Sequence, residues 1–117
     1  MSHPVVHWEI GGPDKEALRD FYADLFGWKA EEAGPEYALL EPGEGPSGGI
    51  MRTKGGMPPY VTIYVQVEDL EAALARAAEL GGSRVVPPTE ISAELRFAMF
   101  ADPMGNVVGL LSGAGSR

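Results

Sequence analysis

The chain of 117 residues contains no cysteine, which excludes disulfides, thiolate metal sites and cysteine nucleophiles, and suits a reducing compartment. It has two histidines, so any site built on imidazole draws on His3 or His7. Lysine and arginine total 9 against 17 acidic residues, and the formal charge of −8 argues against a nucleic-acid partner, because phosphate backbones need clustered basic side chains. No apolar run approaches the roughly 20 residues needed to cross a bilayer, and the start lacks a basic segment leading into an apolar one. These absences point to a cytoplasmic protein with no nucleic-acid partner and no membrane.

What is present is ordinary globular composition, 44% hydrophobic and 22% charged, in a chain of one-domain length. Sixteen glycines and ten prolines announce many turns. The informative feature is an internal repeat. At an offset of 55 residues Asp14 meets Asp69, Glu16 meets Glu71, Ala17 meets Ala72, Ala23 meets Ala78 and Gly27 meets Gly82. Each segment reads as a helix: an Asp N-cap, a Glu in the first turn and a glycine stop. Leu18, Phe21, Tyr22 and Leu25 form one buried face by spacing; Leu70, Ala73, Leu74 and Ala77 form the other.

A strand precedes each helix, and alternation assigns its faces. Val6, Trp8 and Ile10 should lie under the first helix, with Trp8 near Phe21 and Leu25, leaving Val5, His7 and Glu9 on the opposite face. Val61, Ile63, Val65 and Val67 should lie under the second helix, leaving Thr62, Tyr64 and Gln66 opposite. Weaker strand signals follow: Trp28 to Glu32, Tyr37 to Glu41 and Gly49 to Thr53, then Ser83 to Val86, Leu95 to Ala101 and Asn106 to Leu111. Asp102-Pro103-Met104-Gly105 reads as a type I turn. The expected architecture is α+β: one domain over residues 1–117, made of βαβββ modules at about 4–53 and 60–112 with a crossover at 54–59.

This arrangement resembles the vicinal oxygen chelate superfamily, which holds glyoxalases, bleomycin resistance proteins and extradiol dioxygenases. The resemblance is carried by His7-Trp8-Glu9-Ile10, by the helix end Phe21-Tyr22-Ala23-Asp24-Leu25-Phe26-Gly27-Trp28, by Gly48-Gly49-Ile50-Met51, by Val65-Gln66-Val67-Glu68-Asp69-Leu70 and by Asp102-Pro103-Met104-Gly105-Asn106. It implies two modules forming an open, U-shaped barrel around a shared cleft, commonly in a homodimer. It also implies four metal-ligand positions, which fall here on Val5, Gly49, Thr62 and Gly109. Val and Gly side chains donate nothing to a divalent ion, so no cofactor is expected. A shift of the first strand by two residues would bring His7 to a ligand position, but one imidazole alone does not hold a metal.

The candidate site residues are His7 and Glu9 as weak catalytic candidates, and His7, Glu9, Tyr64, Gln66, Thr62, Gly49, Gly109 and Phe100 as ligand contacts. In the bland alternative, His7 and Glu9 satisfy each other across the sheet. Arg96 reads as solvated, and Trp28 as packing. Gly43-Glu44-Gly45-Pro46-Ser47-Gly48 matches a dinucleotide-binding pattern only formally, because Pro46 interrupts it and a strand follows where a helix N-terminus is needed. Three functions stay open: a metal-independent binder of an amphiphilic or cationic metabolite or antibiotic; a lyase, isomerase or dioxygenase using Glu9 and His7 or a weakly bound metal; and an interaction domain whose cleft is filled by its own side chains.

Overall fold

The computed structural model describes residues 2–113. Ten elements follow in chain order: β1 (Val5–Gly12), α1 (Lys15–Phe26), β2 (Lys29–Glu32), β3 (Tyr37–Glu41), β4 (Ser47–Arg52), β5 (Tyr60–Gln66), α2 (Leu70–Glu79), β6 (Ser83–Glu90), β7 (Leu95–Ala101) and β8 (Val107–Gly113). This is the βαβββ pattern twice. In the first module the strands lie in the order β2-β3-β4-β1, with β1 parallel to β4 and the hairpin partners antiparallel. In the second they lie β6-β7-β8-β5, with β5 parallel to β8. The same topology in both halves is what the repeat predicts. No helix among the described residues is long and apolar enough to cross a membrane.

Two compact units divide the chain inside β1 and β5 rather than at the crossover. One is His7–Thr62; the other joins Ile63 onward with Val6 and the residues before it. Within the second, the Gln66 N–H donates to Pro4 O at 2.9 Å.

Both helices start as the sequence predicts, with Asp14 accepting from the Ala17 N–H and Asp69 from the Ala72 N–H, each at 3.0 Å. Gly27 ends α1 in the left-handed region at φ 72°. The second stop departs from the repeat. Gly81, at φ 106°, takes the left-handed position, while the Gly82 N–H reaches back to Ala77 O at 2.8 Å, closing a Schellman turn. Gly82 is needed for space, since a Cβ there would lie 2.5 Å from Ala101 O.

The buried face of α1 is rotated from the expected one. Leu18 and Tyr22 pack with Trp8, Ile10 and Trp28 on the buried residues Ala38, Leu40 and Ile50, whereas Phe21 and Leu25 are exposed. The rotation has a cause: Lys15, at the start of the helix, is buried and bonds Glu32 and Gly34 O, while Arg19 reaches Glu32 at 2.5 Å. Lys15, Leu18, Arg19 and Tyr22 therefore make the inward stripe. Trp8 lies against Trp28 at 5.0 Å between ring centroids rather than against Phe21 and Leu25, and donates its indole N–H to Pro46 O.

In the second module α2 buries Leu70 and Leu74 on Val67, Ala98 and Leu110, with Val65, Ala73 and Phe100 packed beside them. Val61 and Ile63 are exposed, contrary to expectation, whereas Val65 and Val67 belong to the cluster under α2. Strand β6 runs through Pro87 and Pro88 to Glu90; it is tolerated there because it takes the outer position of its module and carries two register shifts against β7. The Asp102 turn forms as predicted: Gly105 N–H donates to Asp102 O, and the Asp102 carboxylate accepts from Met104, Asn106 N–H and the Asn106 amide.

Candidate functional site

In the first unit, the face of β1 opposite α1 carries His7 and Glu9. Glu9 is 6% exposed, and the Tyr60 hydroxyl donates to its Oε1 at 2.7 Å. His7 Nε2 lies 2.8 Å from Tyr37 Oη, and the two rings are nearly parallel, 22° apart. The register explains the grouping. Glu9 pairs with Gly49 on β4, Gly49 pairs with Leu39 on β3, and Tyr37 sits two residues before Leu39 on the same face.

Glycine makes this packing feasible. A Cβ on Gly49 would overlap the Tyr37 phenol, and one on Gly11 would overlap the Tyr60 ring. Neither glycine has the positive φ that would require glycine for the backbone, so both serve as space. Tyr37 thus occupies the space that a side chain at position 49 would take. Thr62, buried at 7% exposure, shares the Tyr60 side of β5 and belongs to the same unit.

Burial lowers the pKa of His7 below its ordinary 6.5, with the Glu9 charge opposing that shift. At neutral pH the imidazole is uncharged. The cluster therefore offers a carboxylate, a neutral imidazole and two phenols: acceptors for a cation or a donor, and a base that can take a proton.

In the second unit, Tyr64 and Gln66 pair with Gly109 and Leu111, and the buried Tyr64 ring covers Gly109, where a Cβ would overlap it. Phe100 lies on the other face of β7 from Tyr64 and Gly109. It packs with the cluster under α2 and pairs with Val108, so the alternating face of β7 that matches Tyr64 and Gly109 carries Met99 and Phe97 instead.

Of the four ligand positions that the superfamily resemblance implies, Val5 is 43% exposed and aliphatic, Thr62 offers one hydroxyl, and Gly49 and Gly109 are covered by tyrosine rings. Among the described residues no three His, Cys, Asp or Glu side chains gather in a way that could hold an ion.

Tyr37 and Tyr60 were not among the sequence candidates, although each bonds one of them. Alternation from Thr62, Tyr64 and Gln66 extends back to Tyr60, so that signal was present. Nothing local signals Tyr37, whose placement follows from the β3–β4 register.

A family model for a glyoxalase-like domain matches residues 9–111. "Putative glyoxylase CFP32" of Mycobacterium tuberculosis is 35% identical over 83 residues, covering 70% of this chain and 32% of that protein. The anthracycline biosynthesis protein DnrV of Streptomyces peucetius is 28% identical over 123 residues, covering 84% of this chain and 42% of that protein. The chain thus spans less than half the length of these relatives. Among solved structures, methylmalonyl-CoA epimerase from Mycobacterium tuberculosis aligns with a TM-score of 0.66 at 20% identity, over 94% of this chain and 87% of that one. The Mn(II)-bound glyoxalase from Novosphingobium aromaticivorans aligns with a TM-score of 0.68 at 18% identity, over 92% of this chain and 37% of that one. At these identities the likeness is one of fold.

Proposed function

We propose, from the premise that this chain belongs to the glyoxalase-like domain family of the vicinal oxygen chelate superfamily, that it binds a small amphiphilic or cationic molecule without a resident metal ion. The observation that carries this reading is the buried Glu9 carboxylate, held by Tyr60 beside the neutral His7 and the Tyr37 ring. A carboxylate next to electron-rich phenol faces suits an organic cation, which gains both the charge pair and the ring quadrupole on leaving water. The charge of −8 raises the local concentration of such a ligand. Valine and glycine at three of the four superfamily ligand positions support metal independence, since a divalent ion wants imidazole or carboxylate there. The absence of cysteine fits a reducing cytoplasm, and the exposed Phe21, Leu25 and Phe26 fit a homodimer face.

Two measurements test this reading. A thermal-shift panel of cationic antibiotics and metabolites, each with a neutral analogue, should show stabilisation by cations that Glu9→Gln abolishes; equal shifts from neutral analogues would sink it. Elemental analysis of protein purified without chelator should find no stoichiometric metal, and finding one would overturn the metal-free assignment.

One observation favours a second reading, an acid–base enzyme acting next to a carbonyl. His7 is uncharged at neutral pH and shares a strand face with Glu9, so one group can accept a proton while the other carries charge. Turnover of any bound carbonyl compound that Glu9→Gln stops while leaving affinity intact would establish it over the binder.

A further inference from the structure

We propose that the groove between α2 and strands β7 and β8, within the second unit, binds an uncharged planar aromatic molecule, whose ring takes the place that the first module gives to its own Tyr22 and Trp28. The site is separate from the Glu9 cluster and does not rest on the reading of that cluster as a cation site.

The two modules supply the argument, because one fold is packed in two ways. Leu18 and Tyr22 stand four and eight residues after the helix cap Asp14, and Ala73 and Ala77 stand four and eight after the cap Asp69. Trp28 follows the left-handed Gly27, and Gly82 follows the left-handed Gly81. The sheet registers correspond as well. Leu39 pairs with Gly49 as Met99 pairs with Gly109, which makes Phe100 the counterpart of Leu40 and Leu110 that of Ile50. In the first module Leu18, Tyr22 and Trp28 pack on buried Leu40 and Ile50, with the phenol and indole planes 14° apart. In the second, two methyl groups and a hydrogen stand where those three side chains would be.

The result is a cavity of about 360 Å³, lined by Ala73, Ala77, Gly82, Phe100 and Leu110, the counterparts just named, together with Leu80. That volume falls within the range of about 300–1,000 Å³ usual for small-molecule sites. The chain cannot fill it from position 82, where a Cβ would lie 2.5 Å from Ala101 O. An apolar lining of this kind holds water poorly and accepts aromatic hydrocarbons.

Charge narrows the ligand further. Arg76 and Asp102 border the groove, and both are engaged: Arg76 pairs with Glu79 at 3.0 Å, and Asp102 accepts from the N–H groups of Met104 and Asn106 and from the Asn106 amide. A charged ligand gains a partner there only by competing with these bonds. An uncharged ring needs neither.

The test is an amide proton–nitrogen NMR titration of the full chain with indole, the Trp28 ring as a free molecule, and with cyclohexanol as a non-aromatic control. Indole should give saturable shifts centred on Ala77, Gly82 and Phe100, and cyclohexanol should bind at least about tenfold more weakly. Ala77→Tyr supplies the ring that Tyr22 gives the first module, and Ala73→Leu supplies the branch that Leu18 gives it. Indole affinity should fall about tenfold in the former and about threefold in the latter, since leucine fills less of the groove. Ala73→Leu decides alone should Ala77→Tyr not fold. Shifts centred on Glu9 and Gly49 instead, no saturable response up to the solubility limit of indole, or unchanged affinity in the folded variants would each overturn the proposal. Equal affinity for cyclohexanol would overturn the aromatic assignment. Sedimentation equilibrium without indole completes the test: self-association that Ala77→Tyr abolishes would also overturn the proposal, by assigning the groove to a second copy of the chain.

Discussion

Tyr60 donates its phenolic hydrogen bond to Glu9, 51 residues away, at 2.7 Å, and its ring lies over Gly11 on the same strand as its partner. The pair couples the start of β5 to β1 within one compact unit. Tyr60→Phe keeps the ring and deletes one hydrogen bond to a buried carboxylate, which typically contributes about 1.5–3 kcal/mol. Urea denaturation should show a lower midpoint with an unchanged slope. An unchanged midpoint would mean that the bond contributes nothing net to folding.

The His7 ionisation makes stability depend on pH in a defined window. Burial holds its folded pKa below 6.5, so as pH falls the unfolded chain takes the proton first. Stability is full above that value and declines as pH drops from 6.5 towards the lower folded pKa. His7→Gln should flatten the melting temperature against pH in this window. The window is separate from the acid limb, where Glu16, Glu32 and Asp102, all with lowered pKa values, lose their favourable hydrogen bonds as pH falls below 4.5 and 3.8 respectively. A wild-type curve that is flat between pH 6.5 and 5 would contradict the assignment.

Lys15 is 1% exposed and its ammonium is shared by Glu32 and Gly34 O, with Glu16 at 3.7 Å. Removing only the anion leaves a buried charge short of a partner, whereas replacing the cation by an apolar side chain of similar length removes the need for one. Glu32→Gln should therefore lower the melting temperature more than Lys15→Met does. The reverse order would show that packing of the lysine stem, rather than its charge, holds α1 in place.

Much of the fold could be read from the chain because its signals are local and duplicated. Asp14 and Asp69 cap their helices by the same bond, Asp102 organises its turn through its own neighbours, and alternation put His7 and Glu9 on the face opposite α1. What could not be read depended on pairing at a distance. Phe21 and Leu25 fit the helical period as well as Leu18 and Tyr22 do, and only the burial of Lys15 against β2 fixes the rotation. Phe100 sits on a strand whose parity is ambiguous until Ala98 and Leu110 are seen under α2. Tyr37 became visible only through the β3–β4 register. The glycines held the missing signal: a glycine in a strand without a turn marks where another side chain comes close.

Gly109 and Tyr64 test that last point in the second unit, where no candidate acid or base complicates the result. The two residues are paired across β5 and β8, and a Cβ on Gly109 would overlap the Tyr64 ring. Gly109→Ala should cost about 1–3 kcal/mol, the usual range for overpacking a filled site. Tyr64→Ala should itself be destabilising, because it empties a buried ring site. In the Tyr64→Ala background, however, the added methyl meets open space, so Gly109→Ala should be nearly neutral there. The double-mutant cycle, read by urea denaturation, should return a coupling of about 1 kcal/mol or more. Additive effects would show that glycine at 109 answers to the backbone rather than to the ring, and would remove the spatial explanation from its counterparts at Gly49 and Gly11.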